Sequence, residues 1–370
     1  MVQDYPVLRI RQNGNELECE LAEPTSMQIV RIRRKNVRIT KALKRIPSKY
    51  TSIVQMMEHD EPPNLRTFRL ELRILGNEIG RVLTPILRGL DFEVKKDCSL
   101  ALALDEETVK VPWELGYLSK KLTMENEPKM LCDALCVGRL RVVEDKSWKQ
   151  SPKRGHTTKA LVVGIDYKDC RIGIGELDHA QEEAEGVQAI LKNNDIPVTF
   201  LPGKEATRAK VIETLKQGVD IFHFTGHGSM SWNKSKICLS DEDLWAKDLS
   251  HVLTNTAAPS LSFFNACETC VDTPRKGKVE WAPYSWAYSF SKNGGNAFVG
   301  TLWSVLEKEA LCFAQTFYQK FLGIRNNSLA KAMHQARNKI KKGKLDKIYS
   351  WPAYVLYGPP TLVRDDLMRN

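Results

Sequence analysis

No apolar run in the 370-residue chain approaches the roughly 18 residues that a membrane-spanning helix needs. The first residues, MVQDYPVLRIRQNG, hold no apolar core of the kind a secretory leader carries. The nine cysteines are odd in number and scattered. Without a leader they read as reduced thiols in a cytoplasmic protein rather than as a disulfide framework. Cys267-Glu-Thr-Cys270 has no second Cys-x-x-Cys and no histidine-rich partner, so a closed zinc site is not expected. No acidic loop of the calcium-binding kind is present, and neither metal nor organic cofactor is expected. There is no internal repeat and no low-complexity tract.

Residues 29–50, IVRIRRKNVRITKALKRIPSKY, contain no acid at all and contribute most to a net charge of +10. Two readings stand. One is a contact surface for nucleic acid or an acidic protein. The other is the solvated side of a strand and a short helix, with Ile32, Val37, Ile39 and Leu43 turned inward. Charge elsewhere is mixed in sign, which does not suggest a dedicated DNA binder.

Two regions of different character follow. In residues 1–150, VLRIRQNGNELECEL places alternating runs around Asn13-Gly14, a strong hairpin signal. RTFRLELRIL (66–75) reads as a strand or as the start of a helix continuing through Ile79, Val82 and Ile86. SLALALDEE (99–107) reads as a strand. KSWKQSPKRGHTTK (146–159) is polar and basic with Pro and Gly, a linker signature. Residues 151–370 then alternate strand and helix: ALVVGID, a helix with Leu177, Ala180, Ala184, Val187 and Leu191 in register, IPVTFLP, a helix from Thr207 to Gly218, VDIFHFTGHG, PSLSFFNAC, a helix ended by Gly294-Gly295, NAFVGTLW, two helices over 307–341, and YVLYGPP. Such alternation predicts an α/β domain with a mainly parallel sheet and helices on both faces, preceded by an α+β N-terminal region.

Two strands end on reactive side chains. FHFTGHG ends on His227 between glycines, and LSFFNAC ends on Cys267. In an open parallel sheet, ligands meet the C-terminal strand ends. Adjacent strands would bring imidazole and thiol together as a nucleophile and its base. Gly228 and Cys267 offer main-chain N–H groups for an oxyanion, and Gly226 allows a sharp turn. His223, inside the strand, reads as a core histidine. Trp303 at a strand end reads equally as a pocket wall or as packing. Cys267 and Cys270 also have the spacing of a redox pair.

FHFTGHGS, LSFFNACETC, AFVGTLWSV, SWPAYVLYGPP and LALALDEETVKVPWELGYL together resemble the CHAT group of caspase-like cysteine peptidases, in the clan of caspases and separase. The likeness covers roughly residues 60–370. It implies a cysteine endopeptidase with Cys267 as nucleophile and His227 as catalytic histidine, acting on a specific protein partner in a prokaryotic signalling or defence system. A gasdermin-like pore former encoded nearby is the partner type the group suggests. It also implies an N-terminal regulatory or pseudo-protease-like region. In this clan, acids near the strand ends set specificity. Asp166, Asp169 and Glu268 would favour cleavage after a basic residue, and Arg275, Lys276 and Lys278 offer a self-cleavage loop. The group commonly has glycine where this chain has Cys270. The alternative is a caspase-fold scaffold without activity that binds protein or nucleic acid.

Overall fold

The computed structural model describes residues 5–13, 16–22, 29–34, 37–58, 63–95, 97–124, 126–141, 158–171, 173–231, 234–253, 258–266, 286–343 and 349–367. The chain divides into two compact units, Met1–Trp148 with Pro359–Thr361, and Lys149–Gly358 with Leu362–Asn370. The expected linker segment falls almost wholly outside the described residues.

In the first unit, strands β1 (Val7–Asn13) and β2 (Glu16–Ala22) pair antiparallel. Asn13 is the last residue of β1 and faces Glu16, so the two-residue connection is positions 14 and 15, one residue on from the expected Asn13-Gly14 dipeptide. Strand β3 (Ile29–Arg34) joins β2 antiparallel, and β1 pairs in parallel with β4 (Ser99–Leu104). A small ladder joins β5 (Tyr117–Leu118) to β6 (Lys129–Met130), and β7 (Cys136–Arg141) pairs in parallel with β4.

Two long helices, α1 (Val37–Met57) and α2 (Leu65–Gly89), pack on each other. Helix α1 runs well beyond the short helix expected over 29–50. Of the residues expected to point inward, Leu43 is half-buried, while the side chains of Ile32, Val37 and Ile39 lie outside the described set. Residues 66–75 are helical. Asn64 caps α2 by accepting from the Arg66 and Thr67 N–H groups, and Phe68, Leu72, Leu75, Ile79 and Ile86 form its buried stripe. Short helices α3 (Lys120–Thr123) and α4 (Leu131–Ala134) complete the unit. Within Pro112-Trp113-Glu114, the Glu114 carboxylate is buried against the Arg139 guanidinium at 2.6 Å on both oxygens.

In the second unit, β8 (Ala160–Gly164) lies between β9 (Val198–Pro202) and β10 (Ile221–Thr225), all parallel. Strand β14 (Leu261–Asn265) pairs in parallel with β10 and with β15 (Ala297–Thr301). Strand β16 (Tyr354–Tyr357) pairs antiparallel with β15. A separate antiparallel ladder of β11 (Gly228–Ser231), β12 (Lys234–Cys238) and β13 (Asp243–Trp245) leaves the end of β10. The helices are α5 (Ala180–Lys192), α6 (Arg208–Lys216), α7 (Leu249–Val252), α8 (Trp286–Lys292), α9 (Glu307–Gly323), α10 (Leu329–Lys342) and α11 (Arg364–Leu367). Leu177 precedes α5 rather than belonging to it.

Every residue of β8, β10, β14 and β15 is buried. That is the mark of parallel strands covered on both faces, and it explains their continuous apolar sequence. Alternate residues show which helices do the covering. Phe222 and Phe264 meet Phe290 of α8. His223 and Phe263 turn the other way and meet Tyr318 of α9.

Candidate active site

The ladder between β10 and β14 ends with Thr225 beside Asn265. Two residues further along β10's exit stands His227. Asn265 leads through Ala266 towards Cys267, which, like Glu268 and the 271–281 loop, lies outside the described residues. The strand ends are tied: the Gly226 N–H donates to the Asn265 carbonyl at 3.2 Å, and the Thr301 hydroxyl donates to the Ala266 carbonyl at 3.0 Å.

His227 is half-buried. Its Nε2 sits 2.8 Å from the Gly175 carbonyl oxygen. A carbonyl only accepts, so Nε2 carries a proton, and in the neutral ring Nδ1 holds the free lone pair. The arrangement therefore leaves one defined nitrogen available as a base. The main chain is fixed as well. The His227 N–H donates to the Tyr167 hydroxyl at 2.8 Å, and the His227 carbonyl accepts from the Cys238 N–H at 2.9 Å. The Tyr167 ring lies against the imidazole, with centroids 4.9 Å apart and planes at 40°.

The glycines on either side of His227 do different things. Gly226 is absent from the left-handed backbone positions, so the sharp turn expected there is not its role. A Cβ at Gly226 would stand 2.8 Å from the Tyr167 hydroxyl and 2.9 Å from Phe224. It is glycine because the Tyr167 and Phe224 side chains pass close. For Gly228, the antiparallel alternation decides. His227 bonds towards Cys238, so the next pair, Gly228 with Ile237, is the kind whose N–H points away from the partner strand.

A concavity open to solvent lies beside His227 and is lined also by Asn265, His179, Glu183 and Glu307. Glu183 is 1% exposed. Its Oε1 accepts from Asn265 Nδ2 at 2.7 Å and lies 3.2 Å from Nε2 of the wholly buried His223. His223 is thus the core histidine its strand position predicts. Asn265 accepts in turn from the Tyr354 hydroxyl at 2.8 Å and donates to the Ala310 carbonyl at 3.2 Å. Glu307 accepts from the His179 main-chain N–H at 2.7 Å.

Of the expected specificity residues, Glu268 lies outside the described residues and Asp166 and Asp169 stand apart from this concavity. Asp166 is half-buried and its carboxylate accepts from the Lys168 N–H at 3.4 Å. The Asp169 side chain is 79% exposed and pairs with Lys204 at 3.8 Å. Neither lines the concavity. Trp303 is fully buried and does not wall it either, which leaves packing as its role. Glu183 and Glu307 do line it. Both lie on helices, far in sequence from the strand ends, and pattern reading passed over them because single acids on helices usually face water. Among the described residues, no group of three or more His, Cys, Asp or Glu side chains is arranged to hold a metal, and no helix is long and apolar enough to cross a membrane.

A family model described as the CHAT domain matches residues 73–359. The fold is similar to that of gingipain R, an Arg-specific cysteine proteinase, with 13% identity, TM-score 0.51, and coverage of 87% of this chain and 76% of that one. It is also similar to the complex of Porphyromonas gingivalis RgpB pro- and mature domains, with 12% identity, TM-score 0.53, and coverage of 88% and 78%. The Saccharomyces cerevisiae separase–securin complex matches with 11% identity and TM-score 0.57, over 96% of this chain. There the chain spans 30% of the matched chain's length. At these identities the likeness is one of fold. No curated protein matches the chain by sequence.

Proposed function

The chain belongs to the CHAT domain family and has the fold of caspase-like cysteine peptidases, and from that premise we propose that it is a cysteine endopeptidase with Cys267 as nucleophile and His227 as its base. The observation that carries this reading is the imidazole of His227, anchored through Nε2 to the Gly175 carbonyl at 2.8 Å beyond a strand adjacent to the one that leads into Cys267. An anchored Nε2 leaves Nδ1 to take the thiol proton.

The Cys267 thiol gives its proton to His227 Nδ1, and the thiolate attacks the scissile carbonyl. The oxyanion is met by the N–H groups of Gly228 and Cys267. The imidazolium returns its proton to the leaving amine as the C–N bond breaks, which leaves a thioester. Water, deprotonated by the same Nδ1, then releases the acid and frees the thiol.

Cleavage after a basic residue is part of the proposal. The carboxylates of Glu183 and Glu307, both lining the concavity beside His227, support it better than Asp166 and Asp169 do. A guanidinium brought against these carboxylates gains charge-assisted hydrogen bonds. The family membership supports a single protein partner in a prokaryotic signalling or defence system, such as a gasdermin-like pore former. It also supports a regulatory or pseudo-protease-like role for residues 1–150, while the scattered, odd-numbered cysteines support a cytoplasmic site of action.

A peptidyl-arginine acyloxymethyl ketone tests the core of the reading. The wild-type chain should be labelled on Cys267, and His227→Ala should abolish the label. Equal labelling of the His227→Ala variant, or none of the wild type, would leave the scaffold reading in its place.

A further inference from the structure

We propose that Tyr167 is the positioning residue of His227, its hydroxyl built into the main-chain ladder as a spacer that sets where the imidazole stands. The inference rests on the reading of His227 as the base of Cys267, and it names the group that aims it.

In an antiparallel ladder, a hydrogen-bonded pair exchanges two N–H···O=C bonds. His227 and Cys238 form such a pair at the start of the β11–β12 ladder, but only one of the two bonds is direct. The Cys238 N–H donates to the His227 carbonyl at 2.9 Å. The second is interrupted: the His227 N–H donates to the Tyr167 hydroxyl at 2.8 Å, and that hydroxyl donates to the Cys238 carbonyl at 2.6 Å. One tyrosine oxygen accepts and donates at once, so no buried polar group is left over.

A packing tyrosine has no need of this placement. Tyr167 adopts it at a cost, since its φ is +59°, in the region that bulky L-residues avoid. Gly226 makes the room, because a Cβ there would crowd the hydroxyl at 2.8 Å. Burial pushes the Tyr167 phenol well above its ordinary range, so it remains a donor at any pH where the protein works.

The same loop grips the histidine from its other end. It starts after β8, carries Tyr167, and reaches Gly175, whose carbonyl accepts from His227 Nε2. Arg171 ties the loop to the β11–β13 ladder through Asp243 at 2.5 Å and through the Leu239 carbonyl at 3.2 Å. The His227 main chain and ring are thus both fixed by one segment. Without the hydroxyl, the His227 N–H and Cys238 carbonyl either close to about 2.9 Å, as ordinary ladder groups do, or stay unpaired. Closing shifts the imidazole, and misplacement of about 1 Å costs roughly 100-fold in rate.

Tyr167→Phe keeps the ring on the imidazole and deletes only the spacer. On a peptidyl-arginine coumarin amide, kcat should fall about 10- to 100-fold with KM within about twofold. The pH profile of iodoacetamide alkylation at Cys267 should move up towards a free thiol, near about 8.5. Gly226→Ala displaces the same hydroxyl from the other side, and the double variant should be no worse than the singles. Unchanged kcat and an unchanged alkylation profile would overturn the proposal, as would a rise in KM with kcat unaltered. If wild type and His227→Ala alkylate alike, it is the dyad that fails. The nitrogen-15 signals of the His227 ring then still decide the spacer, which requires them to shift in Tyr167→Phe.

Discussion

Thr225 and Asn265 stand side by side as the last pair of the parallel ladder between β10 and β14. Both strands end at the same level; His227 follows Thr225 by two positions, and in sequence Cys267 follows Asn265 by the same two. Neighbouring parallel strands lie about 4.8 Å apart, so under the proposed reading equal offsets from a shared register would deliver the thiol to the rim where His227 stands. The residues at the seam are held from below by the bond from Gly226 N–H to the Asn265 carbonyl.

If the two act as one unit, their losses do not add. His227→Ala and Cys267→Ala should each lower peptide cleavage by roughly 10⁴-fold, and the double variant should be no slower than the worse single. Steady-state rates on a peptidyl-arginine coumarin amide measure this. Multiplying losses would mean that the residues act independently.

The carboxylates beside His227 make a prediction about selectivity. Glu307→Gln keeps an acceptor for the His179 N–H, which Glu307 now holds at 2.7 Å, and removes only charge. Its kcat/KM on an arginyl substrate should fall roughly 10-fold, consistent with the ~1.5–3 kcal/mol of a hydrogen bond to a charged group less what the amide retains. On the matching leucyl substrate the change should be within about twofold. An equal fall on both would show that Glu307 shapes the site without reading charge.

Asn265 holds the floor of the same concavity through three bonds, to Glu183, Tyr354 and the Ala310 carbonyl. Asn265→Ala strands the buried Glu183 and Tyr354 polar groups, at about 1–3 kcal/mol each. The expected loss in denaturant unfolding is therefore about 2–6 kcal/mol. Adding Tyr354→Phe should recover part of it, because that hydroxyl no longer needs a partner. A double variant less stable than the sum of the singles would contradict the network.

How much of this was legible beforehand varies with the kind of signal. The neighbouring of β10 and β14 was readable, since alternating strands and helices leave few topologies, and the register then places His227. The hairpin was readable because turn residues interrupt two alternating runs, although Asn13 itself proves to be the last paired residue of β1. Residues 66–75 were not, since Phe68, Leu70 and Leu72 fit a period of two as well as Phe68, Leu72 and Leu75 fit a helix. Leu70, 56% exposed, separates the two readings, for a strand would bury it beside its neighbours. The Gly175 carbonyl has no signature because every residue carries one. Glu183 and Glu307 reach the site through packing of α5 and α9. The strand position of Trp303 says nothing of whether its side chain meets solvent or core.

The last prediction concerns acid. Asp243 is pulled two ways: burial pushes its carboxyl up, while hydrogen bonds from Lys236 and Arg171 pull it down, and the net result lies below its ordinary value of 3.8. A carboxyl with a lowered folded pKa contributes stability that is fully present above its unfolded pKa and is lost as pH falls through the folded one. Glu309 has the opposite sign. Burial outweighs its bonds to Ser350 and Tyr349 and raises it above 4.5, so its share is greatest in acid and is lost as pH rises through that raised value. Unfolding of Asp243→Asn against wild type should therefore show a deficit at pH 6 that narrows below about pH 4. Glu309→Gln should gain on wild type between pH 4 and pH 7. Asp243 also anchors Arg171 at 2.5 Å, on the loop that holds His227. The Asp243→Asn variant should accordingly lose cleavage rate at pH 6 even where it is fully folded. Unaltered kcat in that variant would free the loop from any part in aiming the histidine through this ion pair.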